Sequence, residues 1–347
     1  MNKKDRVNCV LSKNIPDRPP ILAYQHVPGK ERNPEELAHS MLELQRKFDW
    51  DILKIHPAAT VMNEVWGDKF DYTKYNDIFP TQISKGISSV DELENFVFKD
   101  PEHGPMADMI EAVKLVKKGL TEDMYVLQTL FTPINYVCKA LSVPTVRRHF
   151  PADRKDSVLF SLFKEKPDLI KKALEGITST FEAYVGETMR AGADGFFFAE
   201  IGWAREGYML HDEWSEFIKP YDLRIIDAIH KNGGIVMFHT CGMKSNVKWF
   251  SDEYPLDILH WDQGGENNPP LEHSDKWLGK IIPMGGVNEM LFGNHKEKEI
   301  REATIKTLKA NKDLAYILAP YCSISPQRSD EELRAFRYAI DEVYPLS

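Results

Sequence analysis

The chain lacks the features that mark several classes of protein. Its 347 residues include four cysteines, too few for a disulfide framework, so a reducing compartment fits and cysteine is available for metal chemistry. No apolar run approaches the about 20 residues of a membrane-spanning helix. The first residues, MNKKDRVNCVLSKN, have no apolar core of the kind found in a signal peptide. The sequence therefore predicts a cytoplasmic protein with no membrane partner.

The charge pattern argues against nucleic acid as a partner. The formal net charge is −9, and no tract is rich in lysine or arginine. Hydrophobic residues make up 42% and charged residues 28% of the chain, which indicates a globular protein. The length fits one large α/β domain or two ordinary domains.

Short apolar segments that alternate with amphipathic helical patterns indicate the fold class. Strands are predicted over 19–25, 50–56, 124–131, 194–200, 234–240, 256–262, 280–286 and 314–320. Helical patterns lie between them, including 34–48, 167–192, 212–233, 296–311 and 329–343, and Ser329 with Glu332 has capping-box spacing. Eight such alternations predict an α/β protein with a (β/α)8 TIM barrel, built as a single domain over 1–347.

Two further features refine this prediction. An open doubly wound sheet is the alternative, but no Gly-rich phosphate fingerprint follows any predicted strand. Residues 57–123 are too many for one crossover, so we predict an insertion after strand 2 that lies over the barrel mouth. Active sites of such barrels lie at the C-terminal strand ends. The polar residues at those ends are Gln25, His26, His56, Glu200, His239, Cys241, Asp262, Asn288, Glu289 and Cys322.

The strongest candidates for chemistry are His239 and Cys241 in GIVMFHTCG, together with Cys322 in LAPYCSISP. Side chains at i and i+2 of a strand point the same way, so His239 and Cys241 share one face. One imidazole and two thiolates suit Zn²⁺ and leave a fourth position open. The alternative is that Cys241 and Cys322 are small buried hydrophobic residues. Cys9 and Cys138 have no comparable setting and are interpreted as structural.

Two carboxylates at strand ends are the predicted catalytic residues. Glu200 follows the apolar run FFF and Asp262 follows ILHW, where a carboxylate is costly unless it is paired or bound to metal. Either could fill the fourth metal position or orient His239 through its second ring nitrogen. His26 and His56 are interpreted as substrate contacts or as ordinary hydrogen-bonded histidines.

A family resemblance rests on five stretches, FDWDILKIHPAATVMNEVWG, GADGFFFAE, IVMFHTCG, IIPMGGVNE and LAPYCSISPQRSDEELRAF. With these the chain resembles the uroporphyrinogen decarboxylase superfamily over nearly its full length. The superfamily has (β/α)8 barrels and two main chemistries. One is cofactor-free decarboxylation of uroporphyrinogen. The other is zinc-dependent methyl transfer between a corrinoid and a thiol, marked by His-x-Cys and a later Cys, which His239, Cys241 and Cys322 match.

The decarboxylase branch is a poorer match. Its Arg-Gln-Ala-Gly-Arg signature is absent from the corresponding stretch LAYQHVPGKERNP, and an octa-anionic substrate needs arginines. Its Gly-His-Gly corresponds here to residues 321–323, Tyr-Cys-Ser. The usual Gly-Asn-x-Asp-Pro of both branches reads Gly-Gly-Val-Asn-Glu at 285–289, a difference that concerns the substrate more than the fold.

The resemblance therefore implies a zinc-dependent methyltransferase that moves a methyl group between a corrinoid and a small thiol. The corrinoid would arrive on a partner protein, because no cobalamin-binding signature is present. One alternative is a demethylase that transfers methyl from a methoxylated or methylated small molecule to the corrinoid. Another is a decarboxylase or a non-catalytic tetrapyrrole binder. A homodimer is left open. Trp66, Trp203 and Trp261 are interpreted either as an apolar rim for the corrin ring or as packing of the barrel loops.

Overall fold

Parallel strands and surrounding helices make up most of residues 1–143 and 153–345, which the computed structural model describes. The strands are β1 Ile52–Ile55, β2 Lys69–Asn76, β3 Phe79–Ser84, β4 Tyr125–Phe131, β5 Gly195–Glu200, β6 Ile235–Thr240, β7 Ile258–Trp261, β8 Ile282–Val287 and β9 Ile317–Pro320. The α-helices are α1 Lys3–Leu11, α2 Pro34–Phe48, α3 Gly104–Gly119, α4 Pro133–Ala140, α5 Val158–Glu165, α6 Pro167–Arg190, α7 His211–Phe217, α8 Lys219–Lys231, α9 Val247–Glu253, α10 Glu297–Ala310 and α11 Asp330–Val343.

Seven of the strands form one curled parallel sheet in the order β1-β4-β5-β6-β7-β8-β9. Helices lie in most of the connections between consecutive strands, whereas the connection from β7 to β8 has only a 3₁₀ turn at Ser274–Lys276. The predicted α/β barrel is thereby confirmed. Among the described helices, none combines the length and the apolar character needed to cross a bilayer.

The predicted first strand is present only as isolated bridges. Ile21 pairs with Leu318 of β9, and the N–H of Asp51, just before β1, donates to the carbonyl of Ile21. Pro20 has no N–H to donate, which limits how far a ladder can extend here. The prediction of a full strand over 19–25 was therefore wrong in extent, although this segment does connect the two edges of the sheet.

The buried carboxylate of Asp51 stabilises the barrel seam, which is the place where residues 19–25 join β9 to β1. Asp51 is fully buried and accepts hydrogen bonds from the N–H of Ile21 at 2.9 Å, from Arg6 at 2.6 Å and from Arg18 at 2.6 Å. Two guanidinium groups and one backbone N–H thus compensate one buried charge, which would otherwise be costly. The seam depends on Asp51 for its charge balance.

The inward-facing side chains fall into layers along the barrel. Ile52, Leu127, Phe197, Met237, Ile258, Met284 and Ile317 belong to one apolar cluster, separate from the larger core between sheet and helices. Because strand side chains alternate, the residue two positions later faces the same interior. In β1, β6 and β7 that next residue is polar: Lys54, His239 and His260. The barrel interior therefore changes from apolar to polar towards the C-terminal strand ends.

The helices follow their sequence signals with one exception. Ser329 and Glu332 form the predicted capping box of α11, and Asn33 caps α2 through its side chain. The predicted stretch 212–233 is instead divided into α7 and α8 around Ile218. Pro220 explains the division, since proline is tolerated in the first turn of a helix but not in its interior.

Residues 57–123 contain three different kinds of structure. A 3₁₀ turn at Val61–Trp66 precedes the antiparallel hairpin of β2 and β3. The turn of this hairpin, at 77–78, and the adjoining Phe79 line the cavity at the C-terminal end of the barrel. Helix α3 packs against α2 and leads into β4, so it belongs to the helical layer of the barrel. Only the first part of this segment thus lies at the mouth.

Candidate metal site

The barrel brings His239, Cys241 and Cys322 together although they are far apart in sequence. His239 lies in β6, Cys241 follows β6, and Cys322 follows β9. The Sγ atoms of the two cysteines are 3.8 Å apart, and Sγ of Cys322 is 3.7 Å from Nε2 of His239. One donor atom from each residue lies within 4.8 Å of the other two, so this group could hold a metal ion.

His239 is held as a neutral imidazole by its surroundings. It is 3% exposed, and burial together with the nearby His260 and Lys54 keeps its pKa well below the usual value. Its ring stacks on Phe197 with centroids 5.5 Å apart and lies 4.6 Å from the ring of His260. A metal-ligating histidine must be neutral, so these contacts favour the ligand form.

His260 is itself fixed by two hydrogen bonds. Its Nε2 donates to the carbonyl of Pro320 at 2.8 Å, and its Nδ1 accepts from the hydroxyl of Tyr24 at 3.2 Å. Burial lowers the pKa of His260 to about 3, so it is neutral at physiological pH. The ring next to His239 therefore has a defined tautomer and orientation. In the sequence, the only signal for His260 is that this polar residue interrupts the apolar run ILHW.

Glu200 lies behind the backbone of Cys241. Its Oε1 accepts from the N–H of Cys241 at 2.9 Å and from the hydroxyl of Thr240. Its Oε2 accepts from the N–H groups of Trp203 at 3.0 Å and Ala204 at 3.3 Å. Complete burial raises the pKa of Glu200 to about 7, against the effect of these hydrogen bonds. Glu200 therefore orients the loop that carries Cys241, and it is not one of the three grouped donor residues.

Asp262, the second predicted carboxylate, lines the cavity itself. It follows β7, is 2% exposed, and its Oδ1 accepts from the N–H of Gly264 at 3.1 Å. Its carbonyl accepts from the side chain of Asn268 at 2.7 Å, which fixes the loop. Asp262 therefore faces the same space as the donor residues without belonging to their group.

The donor residues open into a cavity of about 490 Å³ at the C-terminal end of the barrel. Its apolar part includes Tyr24, Phe131 and Phe197, and its polar part includes Lys54 and His56. The sequence interpretation overlooked Lys54, because a lysine in an apolar strand resembles an exposed position. Its spacing two residues after Ile52 was the available signal.

The two N-terminal histidines lie at the cavity wall. Nδ1 of His26 and Oε1 of Glu31 are 2.8 Å apart, and the rings of His26 and His56 are 4.0 Å apart. Burial, with His26 and Lys54 nearby, keeps the pKa of His56 well below its usual value. Both side chains face the space next to the donor residues, as the substrate-contact interpretation requires.

Other residues at strand ends have local roles. Gln25 accepts from Arg328, and the side chain of Asn288 accepts from the N–H of Met290 at 2.9 Å. Glu289 lines the cavity, whereas Cys138 is buried in the helical layer away from it.

The three tryptophans do not form a rim. Trp66, Trp203 and Trp261 are 7%, 4% and 0% exposed, respectively. Each indole N–H donates to a neighbouring group, to Val97, Thr132 and Pro269 in that order. They pack the loops, which is the second of the two interpretations, and the suggestion of an exposed apolar rim was wrong.

An α/β barrel with a His-Cys-Cys donor group at its C-terminal end is thus the class that fold and site define. The chain belongs to the uroporphyrinogen decarboxylase (URO-D) family, whose model matches residues 3–343. No curated protein matched in the sequence search.

Solved structures confirm the fold. A methyltransferase from Methanosarcina mazei superimposes with a TM-score of 0.80 at 19% identity, covering 99% of both chains. A candidate vitamin-B12 independent methionine synthase from Listeria monocytogenes gives a TM-score of 0.52 at 13% identity, covering 88% of this chain and 85% of the other. At these identities the likeness concerns the barrel architecture.

Proposed function

We propose that this protein is a zinc-dependent methyltransferase, acting as a single barrel domain in the cytoplasm. It would move a methyl group between a corrinoid carried by a partner protein and a small thiol. The observation that carries the proposal is the grouping of His239, Cys241 and Cys322 at the wall of a cavity. Membership of the URO-D family and the likeness to a methyltransferase barrel support it.

The donor set fits zinc. Two sulfurs on one tetrahedral zinc, each at about 2.3 Å, lie about 3.8 Å apart, and the Sγ atoms of Cys241 and Cys322 are separated by 3.8 Å. Three protein donors leave a fourth position for a substrate, which is typical of catalytic rather than structural zinc sites. The cavity next to the group gives a substrate room to reach that position.

The residues of the chain have distinct roles in this proposal. His239, Cys241 and Cys322 would hold the zinc, which lowers the pKa of a bound thiol so that the sulfur is present as a nucleophilic thiolate. Glu200 keeps the backbone of Cys241 in place through its N–H. Phe197 and His260 fix the plane of the His239 ring. Tyr24, Phe131 and Phe197 contribute apolar surface to the cavity into which the group opens.

The cavity wall disfavours the decarboxylase alternative. Among the described residues that line it there is no arginine, whereas Asp77, Asp262 and Glu289 contribute carboxylates. Lys54 and Lys139 are the lysines of this lining in the part of the chain described here. Such a wall would repel most of the carboxylates of an octa-anionic tetrapyrrole.

The decisive experiment is a methyl-transfer assay with methylcobalamin and a panel of thiols, using zinc-loaded protein. We expect the cobalt absorbance to change from the methyl–Co(III) to the Co(I) spectrum only when both thiol and zinc are present. A change with a methylated donor and Co(I) corrinoid, but never with a thiol, would identify the demethylase alternative. No spectral change with any donor, together with binding of uroporphyrin, would overturn the methyltransferase proposal.

A further inference from the structure

Lys54 is a lysine whose side chain is buried inside the barrel. It lies in β1, is 4% exposed, and lines the same cavity as the donor residues. Its Nζ lies 4.2 Å from the ring centroid of Tyr24 and 4.2 Å from that of Phe197. Two aromatic faces stabilise a cation only in part, because they replace neither the lost water nor a counter-ion.

Within residues 1–143 and 153–345, Lys54 has no carboxylate at ion-pair distance and donates no hydrogen bond. Cys322 and buried Glu31 both act on it electrostatically, but neither is hydrogen-bonded to it, and Oε1 of Glu31 is hydrogen-bonded to His26 at 2.8 Å and to the N–H of Val27 at 2.6 Å. Burial accordingly keeps the pKa of Lys54 well below its ordinary value. An anion at this position would compensate the charge of the ammonium group.

The acidic residues of the cavity lie elsewhere. Asp262 follows β7, Glu289 follows β8, and Asp77 belongs to the hairpin turn. A divalent metal with two thiolates and a neutral imidazole carries no net charge. Lys54 therefore marks the part of the cavity that attracts an anion, whereas the ends of β7 and β8, which carry Asp262 and Glu289, repel one.

We propose that Lys54 binds a carboxylate or similar oxyanion of the small-molecule substrate. The substrate then extends from Lys54, deep in the barrel, to the group of His239, Cys241 and Cys322. The proposal that one end of the substrate is a reacting thiol rests on the proposed function. The proposal that its other end is an anion rests on Lys54 alone. A cationic or neutral small molecule of the same size is the poorer ligand.

The test compares 3-mercaptopropionate with its neutral analogue 3-mercaptopropionamide on full-length protein loaded with Co²⁺. Binding is followed by the thiolate-to-cobalt absorption band. We expect the wild-type protein to bind 3-mercaptopropionate at least about tenfold more tightly than the amide, because one charge-assisted hydrogen bond contributes at least that much free energy. In Lys54→Met this preference disappears, and Lys54→Gln provides a second variant if the first folds poorly.

Lys139→Gln is the matched control. Lys139 lines the same cavity, but its Nζ already donates to the carbonyl of Ala59 at 2.6 Å and to Asn63 at 3.3 Å. This variant should retain the preference. Equal affinities of the two thiols in the wild type, or a preference that survives in both Lys54 variants, would overturn the role of Lys54 and leave thiol binding intact.

A second measurement separates this inference from the proposed function. Propionate and propionamide carry no sulfur, and their binding is measured by the rise in melting temperature. If no thiol produces a cobalt band, the thiol function fails. Stabilisation by propionate that is lost in Lys54→Met would still establish the anion site, and its absence in the wild type would refute it.

Discussion

The backbone N–H of Cys241 donates a 2.9 Å hydrogen bond to Oε1 of the fully buried Glu200. This contact joins a carboxylate of β5 to the residue that follows β6. The same carboxylate accepts N–H groups from Trp203 and Ala204. The position of one predicted metal ligand thus depends on a side chain that does not belong to the donor group.

Glu200→Gln should weaken metal binding without unfolding the protein. A glutamine cannot accept all of these N–H groups, and one unpaired buried donor costs about 1–3 kcal/mol. We expect zinc affinity to fall about 10–100-fold, as is typical when a residue that hydrogen-bonds to a metal-ligating residue is lost. Competition with a chromophoric chelator measures this. Glu302→Gln, on the exposed face of α10, is the control and should leave affinity unchanged.

Cys322→Ala should remove the metal while the barrel remains folded. Cys322 lies after β9 at the mouth, so its loss deletes one of three donors and little of the core. Zinc content measured by atomic absorption should fall from about one per chain towards zero, since three protein donors are typical of such sites. The far-UV circular dichroism should not change. Cys9→Ala should keep its zinc, whereas an unfolded Cys322→Ala protein would mark that cysteine as structural.

Asp51→Ala should destabilise the seam of the barrel strongly. The change leaves Arg6 and Arg18 buried without this counter-charge, and breaking such buried pairs costs about 3–5 kcal/mol. Urea unfolding measures the effect. Asp227→Ala breaks the exposed pair with Lys231 and should cost less than about 1 kcal/mol. Equal effects of the two variants would contradict the importance of the seam.

Asp222→Asn should alter the dependence of stability on pH. Burial raises the pKa of Asp222 well above its ordinary value, and its Oδ2 accepts from the hydroxyl of Tyr254 at 2.8 Å. Below the unfolded pKa of about 3.9 the group is neutral in both states. As pH rises, the unfolded state loses its proton first, so the wild-type protein loses stability relative to the variant.

Unfolding free energies of both proteins between pH 4 and pH 8 provide the measurement for Asp222. The difference in unfolding free energy between the two proteins should increase with pH, and Asp222→Asn should be the more stable of the two. Parallel curves would show that Asp222 keeps an ordinary pKa in the folded protein.

The barrel and the donor residues could be predicted because their signals are local. Apolar runs define β4 to β9, and the two-residue spacing of His239 and Cys241 places both on one face. Parallel strands then bring Cys322 to the same end. None of this requires knowledge of a particular side-chain contact.

The remaining features depend on contacts between distant segments. The tautomer of His260 is set by Tyr24 and Pro320, and the charge balance of Asp51 by Arg6 and Arg18. The burial of the three tryptophans likewise follows from the way loops pack. No pattern within a single segment indicates such partners. The extent of the first strand and the inward position of Lys54 had local signals, in Pro20 and in the two-residue spacing from Ile52, but their contacts could not be predicted.

The pairing of Ile21 with Leu318 also bears on the order of assembly. The two ends of the sheet meet only after β9 has been synthesised, and Cys322 follows that strand directly. A ribosome-bound chain that stops before β9 already contains His239 and Cys241, but it lacks both barrel closure and the third donor. Completion of the barrel and acquisition of a full metal-binding group therefore occur at the same step of chain synthesis.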